Sequence, residues 1–138
     1  MQSTAVTVQT LVHAPLRTVW NLWTRPEHIK EWNSASDDWY TPSAQNDLRT
    51  GGRFCYTMSS RDGKNSFDFL GTYTEVIPQE KIACTLDDGR KVSIKFEPLA
   101  DAVQVAETFE LEHEYAPDKQ QEGWQAILDH FKRYVEAR

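Results

Sequence analysis

The sequence predicts an α+β fold: an antiparallel sheet of six to seven strands with helices packed on one face. Three observations predict it. Pro117 to Glu136 carries apolar residues at helical spacing over about twenty positions. The stretch from Arg53 to His113 breaks into five strand-like runs separated by short turn signals. Near the start, a β-branched run precedes two short helical patterns. Helices segregated to one face of an antiparallel sheet are how such a chain buries both its stripes and its strand faces.

Residues 4–12, Thr-Ala-Val-Thr-Val-Gln-Thr-Leu-Val, are β-branched and nearly alternating, which reads as the first strand. Ala14-Pro15 ends it, and Pro15 suits the first position of a helix. Leu16, Val19, Trp20 and Trp23 then form a helical stripe. Thr24-Arg25-Pro26-Glu27 fits a capping box, so a second short helix is expected to start at Thr24 and to bury Ile29 and Trp32. Residues 33–50 have no clear period. Asn33, Ser34, Asp37, Asp38 and Pro42 make this a loop-rich segment that follows Trp32 and in which Trp39 and Tyr40 are embedded. Loop aromatics of this kind either wall a binding site or plug one end of a core.

After Gly51-Gly52 the chain reads as a meander: Arg53–Ser59, Ser66–Ile77, Lys81–Leu86, Lys91–Glu97 and Ala102–His113. Asp62-Gly63 and Asp88-Gly89 are strong hairpin signals. Side chains alternate faces along a strand, so parity assigns the inner face. Phe54, Tyr56 and Met58 share one face, as do Phe67, Phe69, Gly71 and Tyr73. Ile82, Cys84 and Leu86 form a further set, and Val92, Ile94 and Phe96 another. Parity turns Cys55 outward and Cys84 inward, two strands or about 10 Å apart. A disulfide needs Cα atoms within about 7 Å, so none is expected.

The final helix stacks Trp124, Ile127, Leu128, Phe131 and Val135 on one side, with Gln125, Asp129, Lys132, Arg133 and Glu136 on the other. At about 30 Å it needs a broad surface to lie on, and the sheet supplies one. Gly123 falls on its inward side, where glycine costs about 1 kcal/mol against alanine. Either the helix approaches a strand closely there, or the missing side chain leaves space between helix and sheet.

The 138 residues suit one domain, 1–138, with a real core. Six Phe, five Tyr and five Trp are enough to fill that core or to line a pocket. A net charge of −6 without a basic run argues against nucleic acid as a partner. No apolar run reaches the length of a membrane span, so no membrane insertion is expected. Met1 to Thr4 lacks the marks of a signal peptide, and the two cysteines lack metal-type spacing, so a cytoplasmic location is expected. His13, His28, His113 and His130 are scattered and no metal motif is present, so neither a metal nor a cofactor is expected. The sequence also lacks a nucleophile elbow and a phosphate-binding loop, and Gly51-Gly52 reads as a turn.

Glu107 is the ionisable residue of most interest. It shares parity with Val103, Val105, Phe109 and Leu111, which makes it an acid facing the interior. It is then either a ligand anchor or general acid/base, or a structural group paired with a base or shifted to the sheet rim. Glu110, Glu112 and Glu114 alternate on the opposite, solvated face.

Ala14-Pro15, Val19-Trp20, Pro26-Glu27-His28-Ile29, Gly51-Gly52-Arg53-Phe54, Gly71-Thr72-Tyr73-Thr74-Glu75-Val76-Ile77-Pro78 and Gly123-Trp124-Gln125-Ala126-Ile127-Leu128 occur in an order and spacing with a family likeness. Over residues 4–136 the chain resembles the single-domain bacterial relatives of the activator-of-Hsp90-ATPase family, within the START-like (SRPBCC, Bet v 1-like) superfamily. The resemblance implies a helix-grip fold, a curved sheet around the C-terminal helix with a cavity between them. It implies no catalytic residue, because relatives of this kind mostly lack an assigned reaction. The co-chaperone that names the family has a further N-terminal domain that 138 residues do not hold, so a chaperone interaction is weakly supported.

The leading expectation is a binding protein for a small hydrophobic ligand, aromatic or lipid-like. Its walls would be Trp39, Tyr56, Met58, Phe67, Phe69, Tyr73, Phe109, Trp124 and Phe131, with Glu107 as the polar handle. The alternatives are an enzyme of polyketide cyclase, dehydratase or hydrolase type using the same cavity, and a stress or chaperone-linked interaction module.

Overall fold

The computed structural model describes residues 5–138. The order is β1 (Ala5–Val12), α1 (Leu16–Thr24), α2 (Pro26–Trp32), β2 (Trp39–Asn46), β3 (Arg53–Ser60), β4 (Ser66–Ile77), β5 (Lys81–Leu86), β6 (Lys91–Pro98), β7 (Val103–Glu110) and α3 (Pro117–Glu136). Residue 4, expected to open the first strand, and the N-terminal segment weighed as a signal peptide lie outside the described residues. The strands form one antiparallel sheet in the order β1-β7-β6-β5-β4-β3-β2. The meander runs from β2 to β7, and the first strand then adds to its far edge. With α3 across the concave face and two short helices after β1, this is the helix-grip arrangement.

The junction of the two short helices departs from expectation. Pro15 is the N-cap of α1, with extended backbone, and not its first helical residue. Thr24 does not cap α2. It ends α1, and its buried hydroxyl donates to the carbonyl of Trp20 at 2.8 Å. Arg25 is the N-cap instead, with Pro26 opening α2. Pro26 explains the break, because the residue before a proline is pushed out of the helical region. Arg25 sits at φ −84°, ψ 128°, which stops one helix and starts the next within one residue.

The segment read as loop-rich contains β2. Its sequence, Trp-Tyr-Thr-Pro-Ser-Ala-Gln-Asn, is too polar to show a strand period. It is nevertheless an edge strand, and its pairing with β3 shifts register between Tyr40 and Ser43, around Pro42. An irregular edge is where a sheet tolerates proline. At the other end, β7 stops at Glu110 and not at His113. The backbone of Glu112 is held by the Gln120 side chain, which accepts from its N–H and donates to its carbonyl, both at 2.8 Å. Glu112 and Glu114 therefore belong to the loop leading into α3 and not to a strand face.

Helix α3 lies along β1. Gln125 donates to the Gln9 carbonyl at 3.1 Å, Lys132 donates to the Leu11 carbonyl, and the Glu136 carboxylate accepts from the His13 N–H at 2.8 Å. The first two cap carbonyls on an edge strand that would otherwise invite pairing, and the third holds the N–H just past its end. Leu128, Phe131 and Val135 are buried, whereas Trp124 and Ile127 are only partly covered. Phe131 sits between Trp23 and Trp32, with ring centroids 4.8 Å from each, so the C-terminal half of the helix is clamped by α1 and α2.

Two glycines on the interior side behave oppositely. A Cβ on Gly71 would stand 2.7 Å from the Thr85 carbonyl and 3.1 Å from the Phe54 ring, so β4 admits no side chain there. A Cβ on Gly123 would meet no described atom within 4 Å. Of the two readings of Gly123, close packing is therefore excluded. Gly123→Ala should raise stability by up to about 1 kcal/mol, the helix propensity difference. Gly71→Ala should lower it. Urea denaturation of both variants checks the pair of signs, and a loss for Gly123→Ala would mean that the helix is closer to the sheet than described.

Candidate functional site

Where α3 stands off the sheet, the interior is not filled. A cavity of about 570 Å³ lies between the helix and the inner faces of β3 to β7. Trp23 and Trp32 close it at the end where α1 and α2 pack, and the other end opens at Phe67, Asp88, Arg90, Glu112 and Tyr115. The walls follow from strand parity, since each strand turns every second side chain inward.

Seven of the expected site residues line the cavity. Tyr56, Met58, Phe69 and Tyr73 come from β3 and β4, Glu107 from β7 and Trp124 from α3. Phe67 stands at the mouth, half exposed. Three do not line it. Phe109 is fully buried beneath Trp124, the two rings stacked with centroids 4.1 Å apart and planes 6° from parallel. Phe131 belongs to the plug with Trp23 and Trp32. Trp39 packs edge-on against Phe67 with centroids 5.7 Å apart.

The structure also adds residues. Phe54, Ile82, Cys84, Val92 and Ile94 line the cavity. They belong to the same parity sets that identified their neighbours, so the sequence held their signal. Asn33, Asp88, Arg90, Glu112 and Tyr115 come from loops, for which strand periodicity has no rule, and Asp68 comes from β4, its carboxylate accepting from the Thr57 hydroxyl on the other face of the sheet.

Polarity inside is sparse. Glu107 is 8% exposed, and among the described residues its carboxyl has no hydrogen-bond or ion-pair partner. Its neighbours in register are Val8 on β1 and Ile94 on β6. Burial raises its pKa from 4.5 to about 8. Cys84 lies on the same wall, and burial, reinforced by Glu107, pushes its thiol up to about 12. Burial, then neighbouring Tyr73, lifts the Tyr56 phenol well above its ordinary value. Tyr73 is likewise raised by burial, and its hydroxyl donates to Asn46 Oδ1. Glu107 is thus the interior group whose ionisation falls near neutrality. At the mouth, Arg90 is held by Asp88 at 2.8 Å and Glu112 at 3.6 Å. Among the described residues, no group of three or more His, Cys, Asp or Glu is placed to hold a metal ion.

A curved antiparallel sheet, a long gripping helix and a cavity between them define a START-like (SRPBCC) module. Residues 13–136 match the family model described as activator of Hsp90 ATPase homolog 1-like protein, and the chain belongs to that family. It is similar to the AHSA1-like protein from Aeromonas hydrophila at 42% identity, with a TM-score of 0.92 over 97% of this chain and 93% of that one. It is also similar to a protein from Cytophaga hutchinsonii at 45% identity, with a TM-score of 0.83 over 95% and 91% of the two chains. A protein from Chromobacterium violaceum shares the fold at 20% identity, with a TM-score of 0.87 over 96% and 98%. No functionally curated protein matches the chain.

The raised pKa of Glu107 has a consequence for stability. Its folded value exceeds its unfolded one, so the folded state holds the proton more tightly. Its contribution is fully present below about pH 4.5 and is lost as pH rises through about 8. Glu107→Gln should therefore match the native protein in stability near pH 4.5 and exceed it by up to a few kcal/mol at pH 8 and above. Denaturant titrations across that range check it, and a pH-independent gap would mean that the carboxyl is solvated or paired.

Proposed function

We propose that the protein binds a small, largely apolar ligand, aromatic or lipid-like, between α3 and the sheet, with Glu107 meeting the ligand's polar group. One observation carries this reading: a cavity of about 570 Å³ with an unpartnered carboxyl on its wall. Protein interiors normally pack at a density near 0.75 with few voids larger than a water molecule. Ligand pockets occupy about 300–1,000 Å³ and combine apolar walls with a few polar groups. The walls here are chiefly aromatic rings and aliphatic side chains. Burying Glu107 without a partner is unfavourable to folding, and a bound polar group would relieve that cost.

A second reading, an enzyme of the cyclase, dehydratase or hydrolase type, is favoured by the same Glu107. A carboxyl titrating at about 8 is suited to both giving and taking a proton near neutrality. Turnover abolished in Glu107→Gln with binding retained would distinguish the enzyme from the binder.

The test is an amide-correlation NMR titration with flavonoids, fatty acids, sterols and aromatic polyketides. One class should shift Phe69, Glu107 and Trp124 together and saturably. Cys84→Phe, which places a ring in the cavity, should abolish the response in a protein that still gives a folded spectrum. Absence of saturable shifts with every class would overturn the binding reading.

A further inference from the structure

The charge inventory of the cavity is one-sided. Three residues turn carboxyls toward it, Asp88, Glu107 and Glu112, against one guanidinium, that of Arg90, while the Asp68 carboxylate lies on the other sheet face, where it accepts from the Thr57 hydroxyl at 2.7 Å. Arg90 is already engaged by Asp88 and Glu112 at the mouth. Deeper in, Glu107 is more than nine-tenths buried and has no partner among the described residues. The elements around it supply no cation. β1 and β6 present Val8 and Ile94, β5 presents Cys84, β3 and β4 present Tyr56 and Tyr73, α3 presents Trp124 and Ile127, and α1 and α2 close the far end with Trp23 and Trp32. The β3 and β4 side of the cavity, with Trp124 of α3, carries a run of aromatic rings. Phe69 lies 5.9 Å from Trp124 and 5.8 Å from Phe54, which in turn lies 5.1 Å from Tyr73.

From this arrangement, and resting on the binding reading above, we infer that the cavity takes a compact aryl-alkyl amine as its cation, with the ammonium on Glu107 and the ring against Trp124 and Phe69. Three physical arguments support the assignment. A buried carboxyl with no internal counter-charge is stabilised more by an ammonium than by a neutral donor. Aromatic faces attract a desolvated cation through their quadrupoles. A carboxylate ligand would meet an acidic mouth and then a buried acid, with no free guanidinium to receive it. The inventory therefore disfavours fatty acids although the walls are apolar.

The proton balance follows. With a pKa of about 8, free Glu107 is mostly protonated at pH 7. The amine arrives as an ammonium and keeps its proton. Glu107 ionises against it and releases its own proton to solvent. Binding at pH 7 should thus release roughly one proton per ligand and tighten by up to tenfold, about one decade, per pH unit between pH 6 and 7.5.

Three probes with a shared indole ring separate the possibilities: tryptamine, tryptophol and indole-3-acetate. Calorimetry in buffers of different ionisation enthalpy gives both affinity and proton release. Tryptamine should bind about tenfold or more tightly than tryptophol, a difference of one decade or more, and indole-3-acetate most weakly. In Glu107→Gln, tryptamine and tryptophol should converge to within about twofold, with proton release abolished. If tryptophol or indole-3-acetate binds as tightly as tryptamine to the native protein, or if tryptamine binds without proton release, the amine assignment is overturned and the binding reading stands. The same holds if none of the three binds but a neutral ligand of the wider panel does. If nothing binds at all, both fall together.

Discussion

The structure depends on the distance at which α3 is held from the sheet. The helix is fixed along one side by bonds to β1, through Gln125, Lys132 and Glu136. Its C-terminal half is held by the Trp23, Trp32 and Phe131 cluster. Its N-terminal half rests on Phe109 through the flat face of Trp124. Large rigid side chains at both positions prop the helix, and across the gap Phe69 of β4 meets Trp124 edge-on with centroids 5.9 Å apart. Ring size and stacking thus set a spacing that aliphatic residues would let collapse.

That spacing determines the chemistry of what lies inside. Glu107 faces a concave surface of aromatic and aliphatic groups and is 8% exposed. Were α3 closer, the carboxyl would be crushed against apolar side chains. Were the cavity wider open, water would solvate it and its pKa would return to the ordinary range. The same enclosure moves Cys84, Tyr56 and Tyr73 further above neutrality and brings Glu107 up toward it. Gly123 and Gly71 mark the two limits of the gap: one has space beside it, and the other is where β3 and β5 close onto β4.

Much of this was legible in the sequence. The α3 stripe from Trp124 to Val135 is long and periodic, and its bounds were read as Pro117 to Glu136. Strand parity placed Glu107 inside because β7 runs without a bulge from Val103 to Glu110. What failed was local and has local causes. β2 is an edge strand broken at Pro42, so it lacks the alternation that a buried face imposes. Thr24 resembles an N-cap, but the restriction that Pro26 places on Arg25 moved the helix boundary by one residue. Phe131 shares its stripe with Trp124, and periodicity along a helix cannot tell which turn meets a void and which meets Trp23 and Trp32. Arg90 and Asp88 share the β5–β6 turn and meet Glu112 from the loop before α3, an assembly with no sequence period.

The central claim is that an unpartnered carboxyl is enclosed in an unfilled cavity. The most direct measurement is the carboxyl carbon resonance of Glu107, followed by NMR against pH with Glu107→Gln used for assignment. A titration midpoint at about 8 is the predicted result. A midpoint near the ordinary 4.5 would contradict the account, because it would mean that water or a cation already reaches Glu107.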